Sequence, residues 1–254
     1  MTEVDTNKYW RNVHSEVHDD LAAVCYPGLP KSFNRFLDRI YLRAIEKALN
    51  GIKSNFAIEI GCGRGRWIKR LRKKGFRIWG LDISESARPQ VIGSADTIPF
   101  RKNSLDFIMA ITVLQHLPDK KKIESLHESN RILRIGGKLL LCELLDRVGM
   151  KWQSHVIPQN IKWWREKFND CGFEIEEEIP VEHLPLLKII ERIQSRRRRI
   201  NSEDVNRGVR VLHTFFLKKA FWELITFFSI LIEPVARTIF PNSGSHRIFI
   251  LKKR

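Results

Sequence analysis

The sequence predicts an α/β fold: a parallel sheet with helices on both faces. Two observations carry that expectation. Short apolar runs alternate with helical patterns from residue 56 to residue 179, as in sheets built from strand–helix–strand units. Several runs are almost continuously apolar, Leu139-Leu140-Leu141-Cys142 among them, which suits strands buried on both faces.

Residues 1–50 read as an N-terminal helical segment, broken at Pro27-Gly28-Leu29-Pro30. Phe33, Phe36, Leu37, Ile40, Ile45 and Leu49 recur near helical spacing, and Asn50-Gly51 ends that run. Strands are expected at Phe56–Ile60, Phe76–Leu81, Gln90–Gly93, Leu105–Ile111, Lys138–Cys142 and Phe173–Ile179. Helices are expected at Trp67–Lys74, Lys120–Leu133 and Ile161–Asp170. A last strand, His246–Leu251, follows the turn Pro241-Asn242-Ser243-Gly244. Residues 51–180 and 246–254 are expected to form one α/β domain. Residues 181–245 form an insertion, helical and both basic and aromatic.

Composition narrows the partners. The chain has 254 residues, 43% of them hydrophobic, which is enough for a sizeable core. Its net charge of +16 suits an anionic partner or serves solubility alone. The four cysteines, Cys25, Cys62, Cys142 and Cys171, lack C-x-x-C or zinc spacing and read as reduced thiols. The polar, acid-bearing N-terminus is no signal peptide. No apolar run reaches the ~18–20 residues of a membrane span; Ala220 to Ile232 is shorter and contains Glu223. A cytoplasmic protein is expected, with membrane association left open.

The string Glu59-Ile60-Gly61-Cys62-Gly63-Arg64-Gly65-Arg66 follows a strand and opens a helix. Glycines there let the backbone turn tightly and approach a ligand. The helix start beyond them offers unpaired N–H groups. The spacing is G-x-G-x-G, not the G-x-G-x-x-G of pyrophosphate-binding dinucleotide folds. One strand later comes Gly80-Leu81-Asp82-Ile83, and an acid at that position can accept both ribose hydroxyls. Asp96, within Ser94-Ala95-Asp96-Thr97-Ile98, could accept from an adenine amine. Each acid alone would read as a surface turn; their order behind the glycine loop argues for a nucleotide-like ligand. Asp106 opens the fourth strand and reads as structural.

These ordered motifs resemble the class I S-adenosylmethionine (SAM)-dependent methyltransferases, and within them the type-11 methyltransferase domain. The resemblance covers about residues 55–180 and the last strand. It implies a Rossmann-like seven-stranded sheet, mostly parallel, with an antiparallel last strand. It implies SAM as cofactor and S-adenosyl-L-homocysteine as product. It puts Glu59, Gly61, Cys62, Gly63 and Gly65 near the methionine part, Asp82 on the ribose, Ile83 against adenine and Asp96 near its amine. Thr97, Val113 and Gln115 complete the expected cofactor set. Glu59 stands where many members have Asp.

His116, just past the fourth strand, is the candidate base. An imidazole titrates near neutrality and could take a proton from a hydroxyl; it could equally pack or cap the following helix. No N-P-P-Y string, Pro-Cys dipeptide, H-E-x-x-H motif or cysteine-rich metal site is present. A small or lipid-linked acceptor, methylated at oxygen, is the default. An RNA methyltransferase and a non-catalytic SAM-binding protein are the alternatives. No metal is expected. The insertion from Pro180 to Ser245 leaves the carboxyl edge and should cap the acceptor. Its stretch 196–232, with Arg196 to Arg199 and Phe215 to Phe228, fits peripheral membrane contact better than a nucleic-acid groove.

Overall fold

The computed structural model describes residues 6–16, 21, 29–52, 54, 56–147, 150, 152, 155–197 and 219–254. The apolar runs become strands β1 (Ala57–Ile60), β2 (Ile78–Asp82), β3 (Val91–Ile92), β4 (Leu105–Ile111), β5 (Leu133–Leu144), β6 (Phe173–Val181) and β7 (His246–Lys253). The helical patterns become α1 (Thr6–Glu16), α2 (Lys31–Ala48), α3 (Arg66–Lys73), α4 (Asp119–Ile132), α5 (Ile161–Asp170), α6 (Pro185–Arg197) and α7 (Lys219–Ile239).

All the strands join one seven-stranded sheet in the order β3-β2-β1-β4-β5-β7-β6. β7 pairs antiparallel with both β5 and β6, and the other pairings are parallel. The expected Rossmann-like topology with a reversed last strand is therefore present. The strand order reverses between β1 and β4, and the crevice beyond their carboxyl ends is where such sheets bind ligands.

Two apolar layers hold the sheet. On one face Phe33, Leu37 and Ile45 of α2 pack with Trp67 and Leu71 of α3, Leu187 of α6 and Trp222 of α7. On the other, Leu126 of α4 and Trp164 and Phe168 of α5 pack over Phe249 and Leu141. Trp164 is fully buried, and Trp163 is half-buried against the same layer with Lys122 over its ring. Both are therefore core residues.

Four strands outrun their expected ends: β2 reaches Asp82, β7 reaches Lys253, and β5 and β6 are extended as well. β6 continues through Pro180 to Val181. A proline costs an edge strand little, because one side of the strand has no ladder partner, and β6 lies at the sheet edge. β5 begins at Leu133 rather than Lys138, and Gly136 with φ +75° bends it there. Asp106 is structural as read: it accepts the Phe56 N–H at 3.1 Å and pairs with Arg134 at 2.6 Å. Cys62, Cys142 and Cys171 are buried free thiols. Cys25, Pro27-Gly28, Arg198, Arg199, Arg207, Arg210, Phe215, Phe216 and Lys218 lie outside the described residues.

Phe249 is fully buried, with its ring edge-on to Phe168 at 4.9 Å between centroids. Its truncation leaves a cavity under α5. We expect Phe249→Ala to cost about 3–5 kcal/mol, read from denaturant unfolding.

Candidate active site at the carboxyl edge

Three glycines shape the loop leaving β1. Gly61, Gly63 and Gly65 have φ of +64°, +50° and +74°, a region that side chains rarely enter. Gly61 is also crowded: a Cβ there would lie 2.4 Å from Cγ2 of Val113. The β1 and β4 loops therefore touch at a point where only glycine fits. The loop then closes on itself, with the Gly65 N–H bonded to the Cys62 carbonyl at 2.9 Å.

Asp82 ends β2 and is buried. Its carboxylate accepts the N–H of Gly63 at 2.8 Å and of Ser84 at 2.8 Å. The acid thereby staples the glycine loop to the end of β2. Ile83, beside it, is half-buried.

Glu59 lies inside β1 and is 2% exposed. Its Oε2 is buried and has no hydrogen-bond partner among the described residues. Burial drives its carboxyl well above the ordinary range, while Arg66 and the Ile68 N–H act the other way. A buried acceptor without a donor is costly and fits a cationic or N–H-bearing ligand group.

Asp96 and Thr97 sit in a turn after β3, with the Thr97 N–H on the Ser94 carbonyl at 3.2 Å. Thr97 is exposed. Asp96 accepts from Ser94 and pairs with Lys121 at 3.2 Å. Burial opposes ionisation of Asp96, and these two partners outweigh it, so its pKa is lowered.

The loop after β4 is strained and pinned. Thr112 has φ +55°, unusual for a β-branched residue. Beyond it, the carboxylate of Glu143 accepts three successive N–H groups, of Val113 at 3.1 Å, Leu114 at 2.9 Å and Gln115 at 2.7 Å. Burial pushes Glu143 up to about 7 despite those bonds. The Gln115 side chain accepts the Leu144 N–H at 3.0 Å, which ties the same loop to the end of β5.

His116 is buried at the end of this loop. Its Nδ1 lies 2.9 Å from the His155 carbonyl oxygen. A carbonyl only accepts, so Nδ1 carries the proton and Nε2 keeps its lone pair. The rings of His116 and His155 stack with centroids 5.5 Å apart, and Trp10 of α1 meets His116 edge-on at 4.9 Å. Tyr9 stacks on His155 at 4.3 Å. Burial lowers both histidines to about 4. Both imidazoles are neutral at physiological pH.

α1 lies over this edge. It packs on the turn Glu85–Ala87 beyond β2, and Arg64 of the glycine loop donates to the His14 carbonyl at 2.7 Å. His14 is buried and faces the charge of Asp82; burial lowers its pKa and Asp82 raises it. The structure thus brings together Glu59, Gly61, Gly63, Asp82, Val113, Gln115 and His116. Asp96 and Thr97 stand in the separate turn after β3. Sequence reasoning passed over Glu143, His155, Tyr9, Trp10 and His14. Trp10 and His14 stand one helical turn apart, the only local signal that marks them. Among the described residues no group of three His, Cys, Asp or Glu side chains is placed to hold a metal.

Residues 58–141 match the model of a methyltransferase domain. Over that stretch the chain resembles a methyltransferase domain, and the stretch holds the glycine loop, Asp82, Asp96 and His116. An uncharacterized protein of Methanocaldococcus jannaschii is 29% identical over 54% of this chain and 57% of its own. A ubiquinone biosynthesis O-methyltransferase of Alkalilimnicola ehrlichii is 22% identical over 65% of this chain and 83% of its own. The chain spans about half the length of the first curated relatives it matches. A SAM-dependent methyltransferase of Archaeoglobus fulgidus shares the fold, with TM-score 0.55 and 18% identity over 86% of this chain and 94% of that one.

The buried titratable groups at this edge set a pH dependence. A histidine near 6.5 when unfolded and near 4 when folded adds stability above 6.5 that is lost as pH falls toward 4. Glu143, raised to about 7, acts oppositely and gains stability as pH falls. The two are separable by substitution. Between pH 6.5 and 4 we expect wild type to lose more unfolding free energy than His116→Asn, measured by denaturant titration; equal losses contradict the assignment.

Proposed function

We propose that this chain transfers a methyl group from SAM to an oxygen of a small or lipid-linked acceptor, with His116 as the base. The observation that carries this reading is the neutral His116 imidazole, oriented through Nδ1 by the His155 carbonyl at 2.9 Å, with the Gln115 side-chain amide nitrogen 3.4 Å from its Nε2. The loop that bears it rests on Gly61 through Val113, so base and cofactor cleft adjoin.

The residues fit the cofactor. The unpartnered Oε2 of Glu59 would accept from the ammonium of its methionine part, beside Gly61, Cys62, Gly63 and Gly65. Asp82 would take the ribose hydroxyls on the lone pairs its two backbone bonds leave over. Ile83 would face adenine, and Asp96 its amine, with Thr97, Val113 and Gln115 around them. When bound, SAM supplies a methyl group already activated on a sulfonium. The protein aligns the acceptor, excludes water and removes a proton.

Each of those tasks has a residue. His116 Nε2 takes the acceptor's hydroxyl proton, and the imidazolium that forms keeps its bond to the His155 carbonyl. Trp10 of α1 and His155 pack against the His116 ring, and Tyr9 stacks on His155. Burial keeps the imidazole neutral and lowers its basicity at the same time. The printed name of the Alkalilimnicola relative, an O-methyltransferase, supports oxygen as the methylated atom. The described helices of the insertion 181–245, α6 and α7, pack with α2 on one face of the sheet.

Transfer from labelled SAM into hydroxylated aromatics and lipid extracts tests the proposal. His116→Asn keeps size and polarity, and we expect it to lower turnover about 10²–10⁴-fold while SAM affinity stays within a factor of about three. Undiminished turnover by His116→Asn on an acceptor that wild type methylates would remove His116 from the role.

A further inference from the structure

The surface of α7 is unlike the rest of the chain. Trp222, Thr226, Ser229, Glu233 and Ala236 face inward and are buried. The opposite side carries Leu224, Phe227, Phe228, Leu231, Val235 and Ile239, all exposed. Phe227 is 56% exposed and Ile239 61%. From Leu224 to Phe240 the exposed positions are apolar except Arg237 and Thr238. Isolated exposed apolar residues are ordinary; a continuous helical face of them marks a binding surface.

Cations border this face. Arg35, Arg39 and Arg43 recur every four residues along α2 and are exposed, which makes one ridge. Phe33 of α2 meets Trp222 of α7 at 5.8 Å between rings, and Arg43 reaches Glu233 at 3.5 Å. The two helices therefore lie side by side and run the same way. Arg237, half-exposed on α7 itself, also turns toward Glu233 at 3.8 Å. On α6, which packs on α7, Ile189 and Arg192 are exposed as well.

We propose that the α2–α7 face docks on an anionic lipid bilayer, with α7 lying in the plane of the surface. Apolar rings and aliphatic chains enter the headgroup boundary while arginines meet lipid phosphate. No helix among the described residues is long and apolar enough to cross a membrane, and none is needed for this contact. The net charge of +16 repels a second copy and attracts an anionic surface. α7 leads through the Pro241–Gly244 turn into the start of β7, at the carboxyl edge of the sheet. Docking would bring that edge near the lipid surface. The inference does not depend on which atom the enzyme methylates.

Co-sedimentation of the full chain with vesicles tests it. With phosphatidylglycerol–phosphatidylcholine vesicles at low salt we expect most of the protein to pellet, and little with phosphatidylcholine alone. Phe227→Glu with Leu231→Glu should cut partitioning at least ten-fold, and Arg35→Glu with Arg39→Glu should cut it several-fold and flatten its salt dependence. Both variants should keep wild-type SAM affinity. Four results would each overturn the proposal. One is no binding to anionic vesicles. Another is binding untouched by the Phe227→Glu, Leu231→Glu pair. A third is a dimer by sedimentation velocity that this pair dissociates. The last is an unfolding temperature lowered by more than about 8 °C in the pair, which would mean the face is packed in solution.

Discussion

Two backbone N–H groups, those of Gly63 and Ser84, converge on the carboxylate of Asp82 at 2.8 Å each. A buried carboxylate is tolerated only when donors surround it, so this acid requires the glycine loop and the β2 end to keep one relative position. The same logic recurs on the other side of the cleft. Glu143 gathers three N–H groups of the β4 loop and holds His116 at its end. Between the two acids, Gly61 and Val113 approach too closely for any side chain at residue 61. The cleft is fixed from both sides by charge buried at strand ends and joined in the middle by a steric contact. Glu59, whose Oε2 lacks a donor, is the exception in this set and the group that a ligand must satisfy.

Much of this was legible because it is local. Strand and helix periods placed the sheet, and α5 and β4 fall on their expected bounds. The glycine loop and Asp82 were readable because each lies at the end of its own strand. What escaped was long-range. Glu143 looks like one more polar residue ending an apolar run; its meaning comes from N–H groups about thirty residues earlier. His155 and Tyr9 meet across most of the domain, Tyr9 Oη to His155 Nε2 at 3.1 Å, and no spacing announces that pair. The expected strand stopped at Ile179, short of Pro180, because edge position is a property of the sheet order, not of the residue.

The parts outside the matched stretch take two positions. α1 covers the cleft at the β2 end, while α2, α6 and α7 build a helical layer with a buried core of Phe33, Leu187 and Trp222. The first supplies rings around His116. The second supplies a surface whose outer face is apolar and rimmed by arginine. A common α/β scaffold leaves its strand ends invariant in architecture, and the elements stacked above them decide the acceptor.

Glu59, the glycine loop and Asp82 are proposed to hold SAM. Calorimetric titration of the full chain with SAM, alongside Asp82→Ala, addresses this most directly. Micromolar binding by wild type, weakened ten-fold or more in Asp82→Ala, is the result this account requires. A folded wild-type chain that binds neither SAM nor S-adenosylhomocysteine would contradict it.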